Sequence, residues 1–234
     1  MGNRYYLNCP FKDKDIVLKL GAKWDGSKKL WYFTEKSQAK FFKEWIPSGH
    51  MLREPIKKTD LSKLNINDDY VIFSVQDTGI RKTDEIMELS ILSLEGEELY
   101  HSLFYPKVEV LHPVAELTGL TRKKLEDQKF FFKKWDEIEK ILINKKLICY
   151  NVQIVKRIFT QTLQVNDLNE EIADEIFRDA VSVIDFIDCI LHPKASGLEY
   201  VSKELGILTK EEKMLCRATE RGYLILKVLQ KLAQ

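Results

Sequence analysis

The chain has 234 residues, of which 44% are hydrophobic, and its 37 Lys and Arg against 36 Asp and Glu give a formal net charge of +1. This composition is ordinary for a globular protein of one large or two unequal domains, and it excludes a low-complexity chain. No run approaches the roughly 18 apolar residues that cross a bilayer, and residues 1–5 lack the hydrophobic core of a signal peptide. The four cysteines form no CxxC pair, so we expect a cytoplasmic protein without membrane partner, disulfide framework or zinc site.

Charge is distributed unevenly along the chain. Residues 1–58 carry 13 Lys and Arg against 6 Asp and Glu, a net of +7, whereas the remainder carries 24 against 30, a net of −6. A compact basic module joined to a mildly acidic one suggests a polyanion as the partner of the first part. Two plainer explanations stay open: the two parts attract each other, or the lysines keep a small domain soluble.

The basic module, residues 1–58, is predicted to be a small α+β domain. A short strand ends at Pro10, and residues 11–20 have apolar positions at helical spacing, followed by Gly21 as a C-cap. The apolar positions of this first helical stretch are Phe11, Ile16, Val17 and Leu20. A hairpin follows, which turns at Asp25-Gly26-Ser27 between two aromatic strands. A second helical stretch is predicted from Ser37 to Trp45, before Pro47.

The predicted hairpin carries both aromatic and basic side chains. Aromatic rings can stack on unpaired bases, at about 1–3 kcal/mol per base, while lysines follow the phosphates. Because the module is small, we expect at least two of Trp24, Trp31 and Tyr32 to belong to its core. The candidate nucleic-acid-binding residues of the module are Lys23, Lys28, Lys29 and Trp31.

The first module resembles a small domain of unknown function that is found beside primases, topoisomerases and exonucleases. The resemblance rests on the run Leu20-Gly-Ala-Lys-Trp-Asp25, together with Tyr6, Pro10, Trp31 and Trp45. It implies nucleic-acid handling by association alone. Residues 59–68 are polar without sustained periodicity and are predicted to be a linker, which leaves residues 69–234 as the second domain.

The second domain opens on residues 70–79, Tyr-Val-Ile-Phe-Ser-Val-Gln-Asp-Thr-Gly, which predict a buried strand ending in a glycine turn. Side chains alternate along a strand, so Ser74 and Gln76 project from one face. The segment resembles the opening motif of the DEDDh 3′→5′ exonucleases, the RNase H-like group that includes the epsilon proofreading subunit of DNA polymerase III. That family reads roughly Phe-Asp-x-Glu-Thr-Thr-Gly, so Ser74 and Gln76 stand where it has two carboxylates.

Later segments resemble the same family in the correct order. Two successive strands, residues 85–94 and 98–105, predict a β-meander, and the resemblance implies an α/β fold whose mixed sheet is flanked by helices. It also implies the roles of four later positions: Asn151 is kept, Val155 stands at the third metal-binding Asp, Cys216 at the general-base His, and Arg221 at the last metal-binding Asp.

These replacements bear directly on the chemistry of the family, which is phosphodiester hydrolysis with two divalent ions. Mg²⁺ requires hard, mostly anionic oxygen ligands, whereas Ser74 and Gln76 offer neutral oxygens and Val155 offers none. Arg221 would place a positive charge beside the cations, and a thiol such as Cys216 needs an activating neighbour to act as a base. We therefore expect neither a bound metal cofactor nor catalysis.

Three other carboxylates could rebuild a metal site. Asp77 is one residue out of register, so it is expected on the opposite face of the strand if the strand continues. Glu88 and Asp185 lie in segments that the family uses structurally. The basic clusters at residues 122–124 and 145–146 are interpreted as solvated charges.

The sequence thus predicts a catalytically inactive 3′→5′ exonuclease-like protein that binds nucleic acid or a nucleic-acid-processing complex. The expected ligand is single-stranded DNA or DNA ends, and the expected protein partner is a nuclease, primase or polymerase complex. Asn151 and Arg221 complete the predicted binding residues, since the loss of acids makes the groove more favourable to phosphate. Two alternatives stay open: an active exonuclease that uses Mg²⁺ or Mn²⁺ in a rearranged site, and a protein-interaction adaptor.

Overall fold

The computed structural model describes residues 4–42, 44–46, 66, 69–186, 197–214 and 216–233. Of the predicted linker, residues 59–68, it describes Ile66 alone, so the domain boundaries at residues 58 and 69 stay predictions. Among the helices of these ranges, none is both long enough and apolar enough for a membrane span.

The N-terminal domain is a three-stranded antiparallel sheet with one short helix. Its strands β1 (Tyr5–Leu7), β2 (Lys23–Asp25) and β3 (Leu30–Phe33) lie in the order β1-β3-β2, which confirms the predicted strand and hairpin. A 3-10 turn precedes α1 (Lys14–Lys19), and Gly21 adopts φ 95° after it, as the predicted C-cap requires.

Of the two helical predictions for this domain, the first is confirmed by the 3-10 turn and α1 within residues 11–20, and the second is wrong. The stretch expected as a helix from Ser37 to Trp45 contains a 3-10 helix at Lys36–Phe41 instead. In the first helical stretch Val17 is buried, but Phe11 is 81% exposed and Ile16 is 49% exposed. A helix of six residues has fewer than two turns, so it can turn only one of its apolar positions towards the sheet.

The expectation that two of Trp24, Trp31 and Tyr32 form the core is also wrong. Trp31 is half-buried against the core, Tyr32 projects from the other side of β3 towards Tyr6, and Trp24 on the edge strand β2 is 52% exposed. The interior is filled from other positions, with stacked rings at its centre: Tyr5, Leu7, Val17, Ala22, Phe33, Ala39, Phe42 and Trp45.

The second domain is built on a five-stranded mixed sheet. Its strands lie in the order β6-β5-β4-β7-β8, namely β4 (Tyr70–Asp77), β5 (Ile86–Leu92), β6 (Glu98–Leu103), β7 (Lys146–Cys149) and β8 (Val181–Ser182). The first three are antiparallel, which confirms the meander, and β7 and β8 join β4 in parallel.

Helices cover both faces of this sheet, so β4 and β5 are buried almost throughout. On one face β4 contributes Phe73 to an aromatic core with Phe159; on the other, Ile72 packs among residues of the last helix such as Ile225. The helices are α2 (His112–Thr118), α3 (Trp135–Leu142), α4 (Val152–Val165), α5 (Ile172–Ile176), α6 (Leu198–Glu204) and α7 (Ala218–Ala233).

Candidate functional site

Ser74 and Gln76 lie on the same face of β4, beneath α7, as the alternation predicts. They pair across the sheet with Ser90 and Glu88 of β5, and both side chains are buried. Helix α7 crosses this point closely, because a Cβ built on Gly222 would lie 3.8 Å from the Ser74 Cβ and 3.0 Å from a Leu92 methyl carbon. The Ser74 hydroxyl has no hydrogen-bond partner among the described residues.

Arg221 joins α7 to the end of β4. Its Nη1 donates to the Val75 carbonyl oxygen at 3.0 Å, and its Nη2 donates to Gln76 Oε1 at 3.2 Å. Two positions that are 145 residues apart in the chain thus meet in the fold. None of the ion pairs found in the described ranges includes Arg221.

Asp77 follows Gln76 after an irregularity in the sheet. The pairing with β5 steps from Glu88 to Ile86 at this point, so β5 has one extra residue opposite the end of β4. Burial raises the pKa of Asp77 to about 6, although the positive charges of Arg221 and Arg157 act to lower it. Asp77 therefore lies within electrostatic reach of the guanidinium that binds Gln76.

A second arginine of the same helix region is paired with a buried carboxylate. Arg217 Nε and Nη2 each donate to Glu88 at 2.8 Å, the Ala218 amide donates to it at 2.9 Å, and His101 Nε2 lies 3.0 Å from Glu88 Oε1. Burial alone would raise the pKa of Glu88, but the hydrogen bonds from these groups hold it below its ordinary value. Sequence analysis missed this cluster.

A usable signal for the cluster existed in the sequence. Glu88 falls opposite Gln76 once the hairpin register is drawn, and Arg217 precedes Arg221 by four residues. Since positions four apart share one face of a helix, a charged partner for Glu88 could have been sought there.

The remaining positions implied by the resemblance make other contacts. Val155 packs against the aromatic core in the first turn of α4, and Cys216 Sγ is 4.0 Å from the Met214 carbonyl oxygen. Asn151 caps α4, with its Oδ1 accepting from the Ile154 amide at 3.2 Å. Over the described ranges, no three His, Cys, Asp or Glu side chains are grouped as a metal ion would require.

The N-terminal hairpin presents its lysines beside an exposed indole. Lys23, Lys28 and Lys29 are exposed, but the Lys28 ammonium lies 4.6 Å from the centre of the Tyr6 ring. Trp24 and Trp31 meet edge to face at 5.4 Å, and Trp24 is the more exposed of the two rings. The structure therefore favours Trp24 over the predicted Trp31 as the ring that a ligand could reach.

The turn of this hairpin is fixed by one buried carboxylate. Asp25 accepts hydrogen bonds from the Ser27 amide and hydroxyl, the Lys28 amide, the Tyr6 hydroxyl and the Arg4 guanidinium. These donors hold the pKa of Asp25 well below its usual range. The lysines around the turn are consequently presented by a fixed backbone.

The chain is similar to known proteins in two separate parts. Residues 4–47 match the model of a domain of unknown function, DUF5710. A stretch of 46 residues is 44% identical to DNA primase TraC from Escherichia coli, covering 20% of this chain and 4% of that protein. Another stretch is 24% identical over 149 residues to a PolC-type DNA polymerase III from Clostridium perfringens, covering 61% of this chain and 10% of the polymerase.

Solved structures decide the fold of the second domain. Escherichia coli Exonuclease I in complex with a dA16 oligonucleotide superposes with a TM-score of 0.56 at 14% identity, covering 70% of this chain and 40% of that one. The nuclease domain of 3′hExo, a DEDDh family member bound to rAMP, gives 0.53 at 14% identity, covering 68% of this chain and 88% of that domain. The second domain has the RNase H-like exonuclease fold. The chain covers about a tenth or less of the length of the curated relatives that it matches. Because the solved structures are only 14% identical to it, their likeness concerns the fold alone.

Proposed function

We propose that this protein is a catalytically inactive relative of the 3′→5′ exonucleases that binds single-stranded nucleic acid, DNA ends in particular. The observation that carries the proposal is the contact of the Arg221 guanidinium with Gln76 Oε1 and the Val75 carbonyl oxygen. The resemblance puts metal-binding carboxylates at both positions, 76 and 221. A neutral amide and a cation occupy them here.

The donor set does not fit the two divalent ions that the family uses. The oxygens available from Ser74 and Gln76 are neutral, and that of Gln76 already accepts from Arg221. The nearby carboxylate of Glu88 is engaged by Arg217, and burial raises the pKa of Asp77 to about 6, so its carboxyl is neutral in most molecules only below that pH. Since Mg²⁺ binding needs anionic oxygens in a tight octahedron, we derive no metal-dependent step.

The binding half of the proposal is supported by charge and by the relatives. Arg221 is a guanidinium without an ion-pair partner among the described residues, and guanidinium groups match phosphate geometry well. The hairpin adds Lys23, Lys29 and the exposed ring of Trp24. The relatives of the two parts are a DNA primase and a DNA polymerase, and one structural neighbour holds an oligonucleotide.

One experiment tests catalysis. The full chain is incubated with a 5′-fluorescein single strand that has a free 3′ end, with Mg²⁺, Mn²⁺ or EDTA, beside an active exonuclease of the same fold. We expect the strand to keep its full length in every lane. Metal-dependent shortening that disappears in a Gln76→Lys preparation would overturn the proposal, because a contaminating nuclease would act equally in both preparations.

A second experiment tests binding with the same strand by fluorescence anisotropy. We expect measurable affinity that falls with salt, since contacts to phosphate release counterions. Absence of affinity for single-stranded, duplex and tailed DNA and RNA would contradict the binding half and favour a protein-interaction adaptor.

A further inference from the structure

A continuous row of rings and cations lies on the second domain. We call it the aromatic row and define it as Tyr105, Phe130 and Phe132 with the cations Arg122, Lys107 and Lys133. Its rings meet in sequence: Tyr105 and Phe130 edge to face at 5.4 Å, and Phe130 and Phe132 stacked at 5.7 Å with 21° between their planes.

Cations lie over both ends of the aromatic row. The Arg122 guanidinium is 5.0 Å from the centre of the Tyr105 ring, and the ammonium groups of Lys133 and Lys107 are 5.0 Å and 5.7 Å from that of Phe132. Arg122 is exposed, as its interpretation as a solvated charge requires, and its side chain also covers a ring. Lys107 also bonds the Val165 carbonyl oxygen and lies 3.3 Å from Asp167.

The backbone holds these rings at the surface. The Tyr105 amide donates to the Lys129 carbonyl oxygen at 3.0 Å, which ties the segment after β6 to the one before α3. Phe131 points into the core and is 1% exposed, whereas its neighbours Phe130 and Phe132 are only half-buried. Core packing explains the buried ring of Phe131. It does not explain why the rings of Phe130 and Phe132 lie at the surface.

Local charge reinforces this placement. Residues 121–134 contain six Lys and Arg against two Asp and Glu, a net of +4, in a part of the chain whose net charge is −6. The acidic members are Glu126 and Asp127. This basic segment carries half-buried aromatic rings within an acidic domain. Such a surface suits a nucleic-acid strand, because phosphates can bind its cations and unpaired bases can stack on its rings. An acidic peptide has no bases to stack, so it suits this surface less well.

We propose that the aromatic row is a second binding surface for single-stranded nucleic acid, on which bases stack against Phe130 and Phe132 while Lys107, Lys133 and Arg122 contact phosphates. It is independent of the Arg221 contact and of the N-terminal hairpin. It lies at the end of the sheet where β4 finishes, since Leu103 at the end of β6 pairs with Glu88, and Glu88 pairs with Gln76. A strand that occupies the Arg221 site can thus continue along this edge.

The test separates stacking from charge by using three strands of equal length. Fluorescein-labelled dT20 and rU20 are compared with a 20-mer of abasic sites, which keeps the phosphates and lacks the bases. Phe132→Leu should lower affinity for dT20 or rU20 about tenfold and leave the abasic strand unchanged, whereas Phe132→Tyr should retain affinity. Lys133→Glu should weaken all three strands and reduce the salt slope by about one, with Lys227→Glu on α7 as its matched control.

The outcomes are distinguishable. Equal affinities of wild type and Phe132→Leu for dT20 and rU20 overturn the surface, and so does a loss of equal size on the abasic strand, because a ring that acts only structurally would affect all strands. Circular dichroism of each variant confirms its folding. If strand binding responds to Arg221→Gln but not to Phe132→Leu, the proposed function stands and the aromatic row fails. The reverse result keeps the aromatic row and contradicts binding at Arg221.

Discussion

Two arginines at the start of the last helix, four residues apart, have opposite electrostatic surroundings. Arg217 binds Glu88 through two hydrogen bonds of 2.8 Å, inside a cluster that also holds His101. Arg221 binds a neutral amide and a backbone carbonyl oxygen. The same residue type at the start of the last helix therefore binds a carboxylate directly in one place and only neutral acceptors in the other.

The difference shows which arginine can take an anionic ligand. A phosphate near Arg217 would have to compete with a buried carboxylate, whereas at Arg221 it would meet donors whose present acceptors carry no charge. Stability should therefore depend mostly on the Arg217 cluster, and affinity mostly on Arg221. Each of the following experiments tests whether stability depends on the Arg217 cluster and affinity on Arg221.

The largest effect is expected from Glu88→Gln. This change leaves Arg217 partly buried without its counterion, and removing one partner of a buried pair costs about 3 kcal/mol. Urea denaturation measures the loss. Glu199→Gln, which removes an ion pair at 2.8 Å whose Glu199 side chain is 38% exposed, should cost less than about 1 kcal/mol. Equal losses of stability in the two variants would mean that the Glu88 cluster contributes no more to folding than the ion pair of Glu199 does.

Asp77→Asn tests the carboxyl that lies within reach of Arg221. Its pKa of about 6 in the fold is above the ordinary 3.8, so stability is lost as pH rises between these values and stays low above about pH 7. The variant should be more stable than wild type by about 2 kcal/mol at pH 7.5 and no more stable near pH 3.5. Urea denaturation at both pH values measures this. The exposed Asp179→Asn is the control, and a gain independent of pH would contradict the assignment.

Arg221→Gln should separate affinity from stability. We expect about a tenfold weaker complex with single-stranded DNA and a salt slope smaller by about one, because one phosphate contact is lost. The two hydrogen bonds that disappear should lower the free energy of unfolding by about 1–2 kcal/mol. Anisotropy titrations over a range of salt, with Lys227→Glu alongside, measure the change. Unchanged affinity would remove Arg221 from the binding surface.

The smallest effect is expected from Asn151→Ala. Asn151 caps α4, so its loss should cost about 1 kcal/mol of stability, and Asn151→Ser should recover most of it. Affinity should not change, in contrast to Arg221→Gln. A clear loss of affinity would instead support the prediction that Asn151 is one of the binding residues.

Local patterns predicted most of the architecture. Alternation along residues 70–79 placed Ser74 and Gln76 on one face, and the mixed sheet with its meander is confirmed. The resemblance also brought position 221 to position 76, where the structure has Arg221. These features follow from backbone periodicity and from the order of segments, and a sequence records both.

Long-range partners were harder to predict. The Glu88–Arg217 pair joins positions 129 residues apart, and the Arg122–Tyr105 contact depends on how a loop folds over a ring. Trp24 looked like a core residue because the domain is small, but Phe33 and Phe42 fill the interior first. Sequence spacing does not tell which of several aromatic side chains occupies the core.

The hydrogen bond from Arg221 to Gln76 limits what a single substitution at this site can achieve. A glutamate introduced at position 76 would lie beside the Arg221 guanidinium, and the resulting ion pair would engage the new carboxylate before a metal ion could. Under the proposed function, one such change would therefore tighten the contact between β4 and α7 without creating a metal site.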